Sequence, residues 1–296
     1  MSRSARARAT ARRITPALLR RWPLPLPDGD GDKSTRGRLL VVAGSAELPG
    51  AALLAGGAAL RAGVGKLCIA TDRSTARGVA LAVPEARVVA IGNDGCGRAA
   101  LAEQADRFDA LLIGPGITEP RGALRACMRD LWSRISPLVV DAGALYMISR
   151  RPRARTSPEA QFIVTPHLGE MAHLVKRDKD FIEAHAAEIA LDFAAAHGAV
   201  VALKGPKTFI ADPSGSIWVH DESNLGLAIS GSGDVLAGII AALAARGASC
   251  AQAAVWGVAL HARAGRLLVS RHGELGGLAR ELPDYIPTAL RELGPH

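Results

Sequence analysis

The segment of this chain best equipped for chemistry is Ser223-Asn-Leu-Gly-Leu-Ala-Ile-Ser-Gly-Ser-Gly-Asp-Val-Leu-Ala-Gly-Ile-Ile. Gly231, Ser232 and Gly233 precede a strongly apolar helical run, and Asp234 falls in its first turn. N–H groups at a helix start lack intrahelical partners, and with the helix dipole they make an anion site. The amides of Gly231, Ser232 and Gly233 could therefore form an anion hole for a transferring phosphate, with Asp234 placed to deprotonate a neighbouring hydroxyl. The same residues also suit a plain helix cap by Ser232 or Asp234.

Four further segments combine glycine with polar groups at the ends of apolar runs. Val201-Ala-Leu-Lys-Gly-Pro-Lys-Thr delivers Lys204, Gly205, Pro206, Lys207 and Thr208 at a strand end, as a phosphate or ribose site or as an ordinary turn. Phe162-Ile-Val-Thr-Pro-His-Leu-Gly-Glu places His167 and Glu170 after another strand, where a lone histidine can equally be structural. Val42-Ala-Gly-Ser-Ala-Glu-Leu-Pro-Gly-Ala and Leu112-Ile-Gly-Pro-Gly-Ile are glycine loops. Neither has the G-x-G-x-x-G spacing of a dinucleotide fingerprint, and the chain has no P-loop.

These loops need a scaffold, and the apolar pattern supplies one. Strands are expected at Leu39–Ala43, Leu67–Thr71, Val88–Ile91, Ala110–Ile113, Leu138–Asp141, Phe162–Val164, Val200–Leu203, Thr208–Ala211 and Ile217–Val219. Helices are expected at Ala51–Ala62, Ala99–Ala105, Gly122–Arg134, Phe181–His197, Asp234–Arg246 and Ala251–Val269. The alternation predicts an α/β class: a mainly parallel central sheet with helices on both faces, in three layers. Asp212-Pro-Ser-Gly-Ser between the last two strands reads as a hairpin turn.

Composition bounds the function. Of 296 residues 49% are hydrophobic, ample for a core, and only 4% are aromatic. The net charge of +8 resides in a leader, because residues 1–22 hold seven arginines and no acid. The rest is near neutral, which argues against nucleic-acid binding by the folded part. Residues 1–12 read as a basic tail and 13–296 as a single domain, with no membrane span. The tail is Arg-rich and acid-poor, as transit peptides can be, or simply solvated. Cys68, Cys96, Cys127 and Cys250 have no metal-like spacing. Reduced thiols in a cytoplasmic protein are expected.

Taken in chain order, VVAGSAELPGAALLA, LLIGPGI, VVDAGAL, VTPHLGE, LKGPKT and NLGLAISGSGDVLAGII resemble the NAD(P)H-hydrate dehydratases, a branch of the ribokinase-like superfamily. The resemblance covers about residues 13–290. It implies a ribokinase-like fold and nucleotide-driven dehydration of the 6S hydrate of NADH or NADPH, with ADP (or ATP) and Mg2+ as cofactors. It implies hydrate contacts near Ala51, Gly116, His167 and Asp234, and nucleotide contacts at Lys204, Gly205, Pro206, Lys207, Thr208 and Gly233. Asp234 would be the catalytic base. A homotetramer is implied, and the epimerase domain that accompanies some members is not expected here. The metal ligands are left open. A small-molecule kinase of the same fold would share most of these motifs. The chain departs from the family pattern at Leu225, at Ser232, where threonine is common, and at Gly143, where a second acid is usual.

Overall fold

The computed structural model describes residues 10–26, 35–92, 94–118, 122–150, 162–222 and 224–294. Ten strands form one sheet: β1 (Arg12–Arg13), β2 (Arg38–Val42), β3 (Lys66–Asp72), β4 (Ala86–Ile91), β5 (Ala110–Ile113), β6 (Leu138–Val140), β7 (Phe162–Val164), β8 (Val200–Leu203), β9 (Thr208–Ala211) and β10 (Ile217–His220). Their spatial order is β1-β10-β9-β8-β7-β6-β5-β2-β3-β4. Pairing is parallel except on both sides of β9, which runs antiparallel to β8 and to β10. The expected hairpin is thus one arm of a meander that also includes β8.

Two-residue periodicity sorts the strand side chains between two cores. Leu39, Val41, Ile69, Leu112, Val139, Ile163 and Ala202 face one cluster. There they meet helices α2 (Gly50–Arg61), α3 (Ala76–Ala82), α9 (Ser232–Ala245), α10 (Cys250–His272) and α11 (Leu282–Leu293). Leu40, Val42, Leu111, Ile113, Val140, Val164 and Leu203 face the other. That side holds α4 (Cys96–Glu103), α5 (Gly122–Trp132), α6 (Leu168–Val175), α7 (Lys179–Ala184) and α8 (Ala186–His197). Helix α1 (Pro16–Arg21) lies in the N-terminal arm. The three-layer, mainly parallel architecture matches the expectation. Among the described residues no helix is long and apolar enough to cross a membrane.

Several local expectations need correction. The helix expected over Phe181–His197 is two helices, broken at His185 with φ −122° and ψ 24°. The His185 ring stacks on Phe181, and its Nδ1 lies 2.9 Å from the Phe181 carbonyl. Apolar periodicity continues through this break and conceals it. The Thr165–Glu170 segment opens helix α6, whose His167 N-cap reciprocates with Glu170 in a capping box. Helices α1, α3, α6 and α11 are additions to the expected set. In α11, Pro283 in the first turn and Pro287 inside obscure the sequence signal.

Candidate active site

The order of the sheet reverses at β2 and β5, and in an open α/β sheet a crevice forms where the loops beyond such strands diverge. Here those are the two glycine loops. The Gly44 N–H donates to the Pro115 carbonyl at 2.8 Å. Gly116 has φ 68°, and a Cβ there would lie 2.6 Å from the Ala51 Cβ and from the Leu48 carbonyl oxygen. Gly116 and Ala51 thus meet directly, leaving a surface of backbone and methyl group that a flat ligand can approach. The loop after β6 packs on the loop after β5 just as closely. A Cβ at Gly143 would fall 1.7 Å from the Ile117 carbonyl oxygen. The space a second acid would need is filled by main chain.

The next strands carry the charge. Asp141, Thr165 and Lys204 directly follow β6, β7 and β8, neighbours in the sheet, so register alone brings them together. The Asp141 carboxylate is 2% exposed. It accepts hydrogen bonds from Lys204 Nζ at 3.0 Å and from Thr165 Oγ1 at 2.7 Å. Burial pushes the Lys204 ammonium toward neutrality, but Asp141, Glu170 and Asp234 outweigh it and hold the pKa above its usual value. Glu170 is raised by burial first, with Lys204 opposing and Asp141 adding to the rise. Its Oε2 accepts from the His167 N–H at 2.7 Å, while His167 Nδ1 accepts from the Glu170 N–H at 3.1 Å. One imidazole nitrogen of His167 is therefore spent on capping. The ring is 59% exposed, and its Nε2 lies 3.7 Å from Glu170 Oε1.

Helix α9 begins over this centre. Gly231 takes φ 89°, a left-handed conformation that glycine accepts without strain. The Ser232 N–H donates to the Ile229 carbonyl at 3.2 Å, so of the three expected hole residues Ser232 already has an amide partner. Among the described residues the N–H groups of Gly231, Gly233 and Asp234 have none. A Cβ at Gly233 would stand 3.3 Å from Lys204 Nζ, so the lysine ammonium borders the free amides. The cap alternative finds no support here. The Ser232 hydroxyl is bonded to His261 Nε2 at 3.0 Å, and Asp234 accepts no hydrogen bond among the described residues. Burial, then the Asp141 charge, push the Asp234 carboxyl up to about 6, against the pull of Lys204.

The expected nucleotide stretch divides. Lys204 turns into the charged centre, while Gly205, Pro206 and Lys207 are exposed in the β8–β9 turn. The Lys207 ammonium pairs with Asp221 at 2.9 Å, and Thr208 lies opposite His220 on β10. A phosphate fits the free amides beside Lys204. Among the described residues no three His, Cys, Asp or Glu side chains converge on a metal position. That donor set suits magnesium only as an ion carried on phosphate oxygens and touched by one or two carboxylates. Sequence reasoning missed Asp141 and Thr165 as site residues. The available signal was an acid immediately after an apolar strand. His261 carries no signal, because it sits inside an apolar helix.

The chain matches the family model described as NAD(P)H-hydrate dehydratase over residues 39–288. It is 47% identical to an ADP-dependent (S)-NAD(P)H-hydrate dehydratase of Xanthomonas campestris, over 95% of this chain and 97% of that protein. It is 35% identical to the Bacillus subtilis protein of the same name, over 90% and 94%. The crystal structure of the Bacillus subtilis ADP/ATP-dependent enzyme, co-crystallised with ATP/Mg2+, superposes with a TM-score of 0.79 at 31% identity. That superposition covers 96% of this chain and 99% of the other.

Proposed function

The chain belongs to the NAD(P)H-hydrate dehydratase family, and from that premise we propose that Lys204 and the Gly231–Asp234 turn are its catalytic centre. The protein is an enzyme, a hydro-lyase that removes water from the S hydrate of NAD(P)H in an ADP-dependent reaction. The nucleotide, when bound, would supply its terminal phosphoryl group to the ring hydroxyl oxygen and leave one phosphate shorter. Phosphate (second pKa about 6) in place of hydroxide (water pKa about 15.7) would then be expelled by the ring nitrogen lone pair, and loss of the proton on the adjacent ring carbon to solvent would restore the double bond.

The protein's own groups do the rest. Asp234 accepts the hydroxyl proton, and an ionisation near 6 keeps it a carboxylate at neutral pH while leaving it basic enough for the task. The Gly231, Gly233 and Asp234 amides hold phosphoryl oxygens without reorganisation. Lys204, kept charged by Asp141, lowers the cost of negative charge gathering there. The close-packed Gly116 and Ala51 accept the hydrate, with His167 Nε2 at its margin. Glu170 and Asp141 would be the carboxylates available to touch a Mg2+ carried on the nucleotide phosphates.

One observation carries this reading: Asp234 stands in the first turn of α9 beside free amides, yet caps nothing. We also place the enzyme in the cytoplasm, because Cys68, Cys127 and Cys250 are buried free thiols, as a reducing compartment allows. The test offers purified protein the hydrate and magnesium with ADP, ATP or no nucleotide, and follows the returning near-ultraviolet absorbance of reduced nicotinamide. Conversion is expected with ADP, more slowly with ATP, and not without nucleotide. An equal rate without nucleotide overturns the reading. Accumulation of a phosphorylated alcohol would favour a small-molecule kinase instead.

A further inference from the structure

Helix α10 passes beneath the start of α9 and places one polar side chain there. His261 is 9% exposed, in a helix whose neighbouring positions Val258, Ala259, Leu260 and Ala262 are apolar and buried. Its Nε2 lies 3.0 Å from the Ser232 hydroxyl, which is itself in a residue 5% exposed. Burial first, with the charges of Lys204 and His220, outweighs a hydrogen bond to the Ser232 backbone that favours protonation, and the ring's pKa falls to about 4.

The bond matters because of what a serine does otherwise. At a helix start a free serine hydroxyl folds back and competes for main-chain N–H groups. In this turn the amide two residues on is that of Asp234, one of those left open for phosphate. We propose that His261 is a positioning residue for nucleotide binding: by holding the Ser232 hydroxyl, it keeps the Asp234 amide free and fixes the direction of the turn. This rests on the reading of that turn as the phosphate site. It also gives a physical reason for a hydroxyl at position 232, which serine and threonine both supply.

The experiment measures ADP affinity by calorimetry, together with KM for ADP, kcat and thermal midpoint, for His261→Met, His261→Gln, Ser232→Ala and the double variant His261→Met/Ser232→Ala. Methionine fills the volume without a comparable hydrogen-bond partner, whereas glutamine restores one. His261→Met is expected to weaken ADP binding about tenfold and raise KM for ADP in step, with kcat at saturating ADP within about threefold. His261→Gln should recover most of that affinity. In the double variant no hydroxyl remains to be held, so its loss should not exceed that of His261→Met. Unchanged ADP affinity in His261→Met, equal affinities in the Met and Gln variants, or a double variant whose losses multiply would each overturn the inference. A loss that follows only the thermal midpoint would do the same. If the unaltered protein binds no ADP, it is the reading of the phosphate site that fails.

Discussion

At the scale of the residue, Asp234 links stability to activity. Asp234→Asn keeps the size and removes the proposed base, so turnover should fall roughly 10²–10⁴-fold, while ADP binding persists or tightens as a negative charge leaves the proposed anion site. Steady-state rates beside ADP calorimetry measure both, and near-normal turnover would remove the catalytic assignment. The ionisation sets the pH dependence. The active form is the carboxylate, so the rate should decline as pH drops through about 6. Stability runs the other way. A carboxyl whose folded pKa lies above its unfolded 3.8 favours the fold most at low pH and loses that contribution as pH rises through 6. The loss at neutral pH is on the order of 2–3 kcal/mol at most, because solvent still reaches part of the group. Asp234→Asn should therefore melt a few degrees higher than the unaltered protein at pH 8, and that gain should disappear near pH 4. An unchanged melting point at both pH values would contradict the raised pKa.

At the scale of the element, α9 carries the proposed site and is itself held by helix α2. Gly238 permits their contact: a Cβ there would stand 2.2 Å from the Ala55 carbonyl oxygen, a main-chain atom that cannot step aside. Gly238→Ala should therefore separate the two helices and cost about 1–3 kcal/mol, the usual penalty of overpacking. Because α2 also carries Ala51 and α9 carries Asp234, the variant should lose activity even where it remains folded. Circular-dichroism melts and kcat measured together test this, and an unaffected variant would show that the helices are not in register with the site. The same reasoning covers Gly143. With the Ile117 carbonyl filling its surroundings, this chain places its carboxylates at Asp141, Glu170 and Asp234 instead.

At the scale of the whole molecule, the basic leader and the arm that follows it behave differently. No candidate site residue precedes Ala51, and β1 begins at Arg12, so removing residues 1–9 should leave both turnover and melting temperature unchanged. Removing residues 1–26 should not. Trp22 stacks on Trp218 with ring centroids 5.7 Å apart. The Trp22 carbonyl accepts from Trp256 Nε1 at 2.7 Å, and the Pro23 carbonyl accepts from Gln252 Nε2 at 2.8 Å. Without the arm those two donors on α10 lose their partners, at roughly 1–3 kcal/mol each if they stay buried. The longer truncation is expected to lower the melting temperature by several degrees. Its turnover per folded molecule well below that temperature should stay normal. Equal melting of the two truncations would show that the arm contributes nothing.

The sequence by itself determined the layers and the places where chemistry had to sit. Apolar runs with a two-residue period, bounded by glycine and alternating with helices, leave a parallel sheet as the way to bury both faces. In such a sheet polar residues just beyond the strands share one edge. Lys204, Gly231, Gly233 and Asp234 were legible on that ground, because glycine and charge next to an apolar element are local signals. What only the tertiary structure decided is which of these residues meet. Asp141 reaches Lys204 across 63 positions of chain and His261 reaches Ser232 across 29. Each bond follows from strand order or helix crossing, which pattern within one segment does not encode. The division of the Lys204–Thr208 stretch has the same origin. Lys204 is drawn inward by a buried carboxylate from another strand, and Lys207 outward by Asp221 on the hairpin edge, so two lysines three residues apart end in different surroundings.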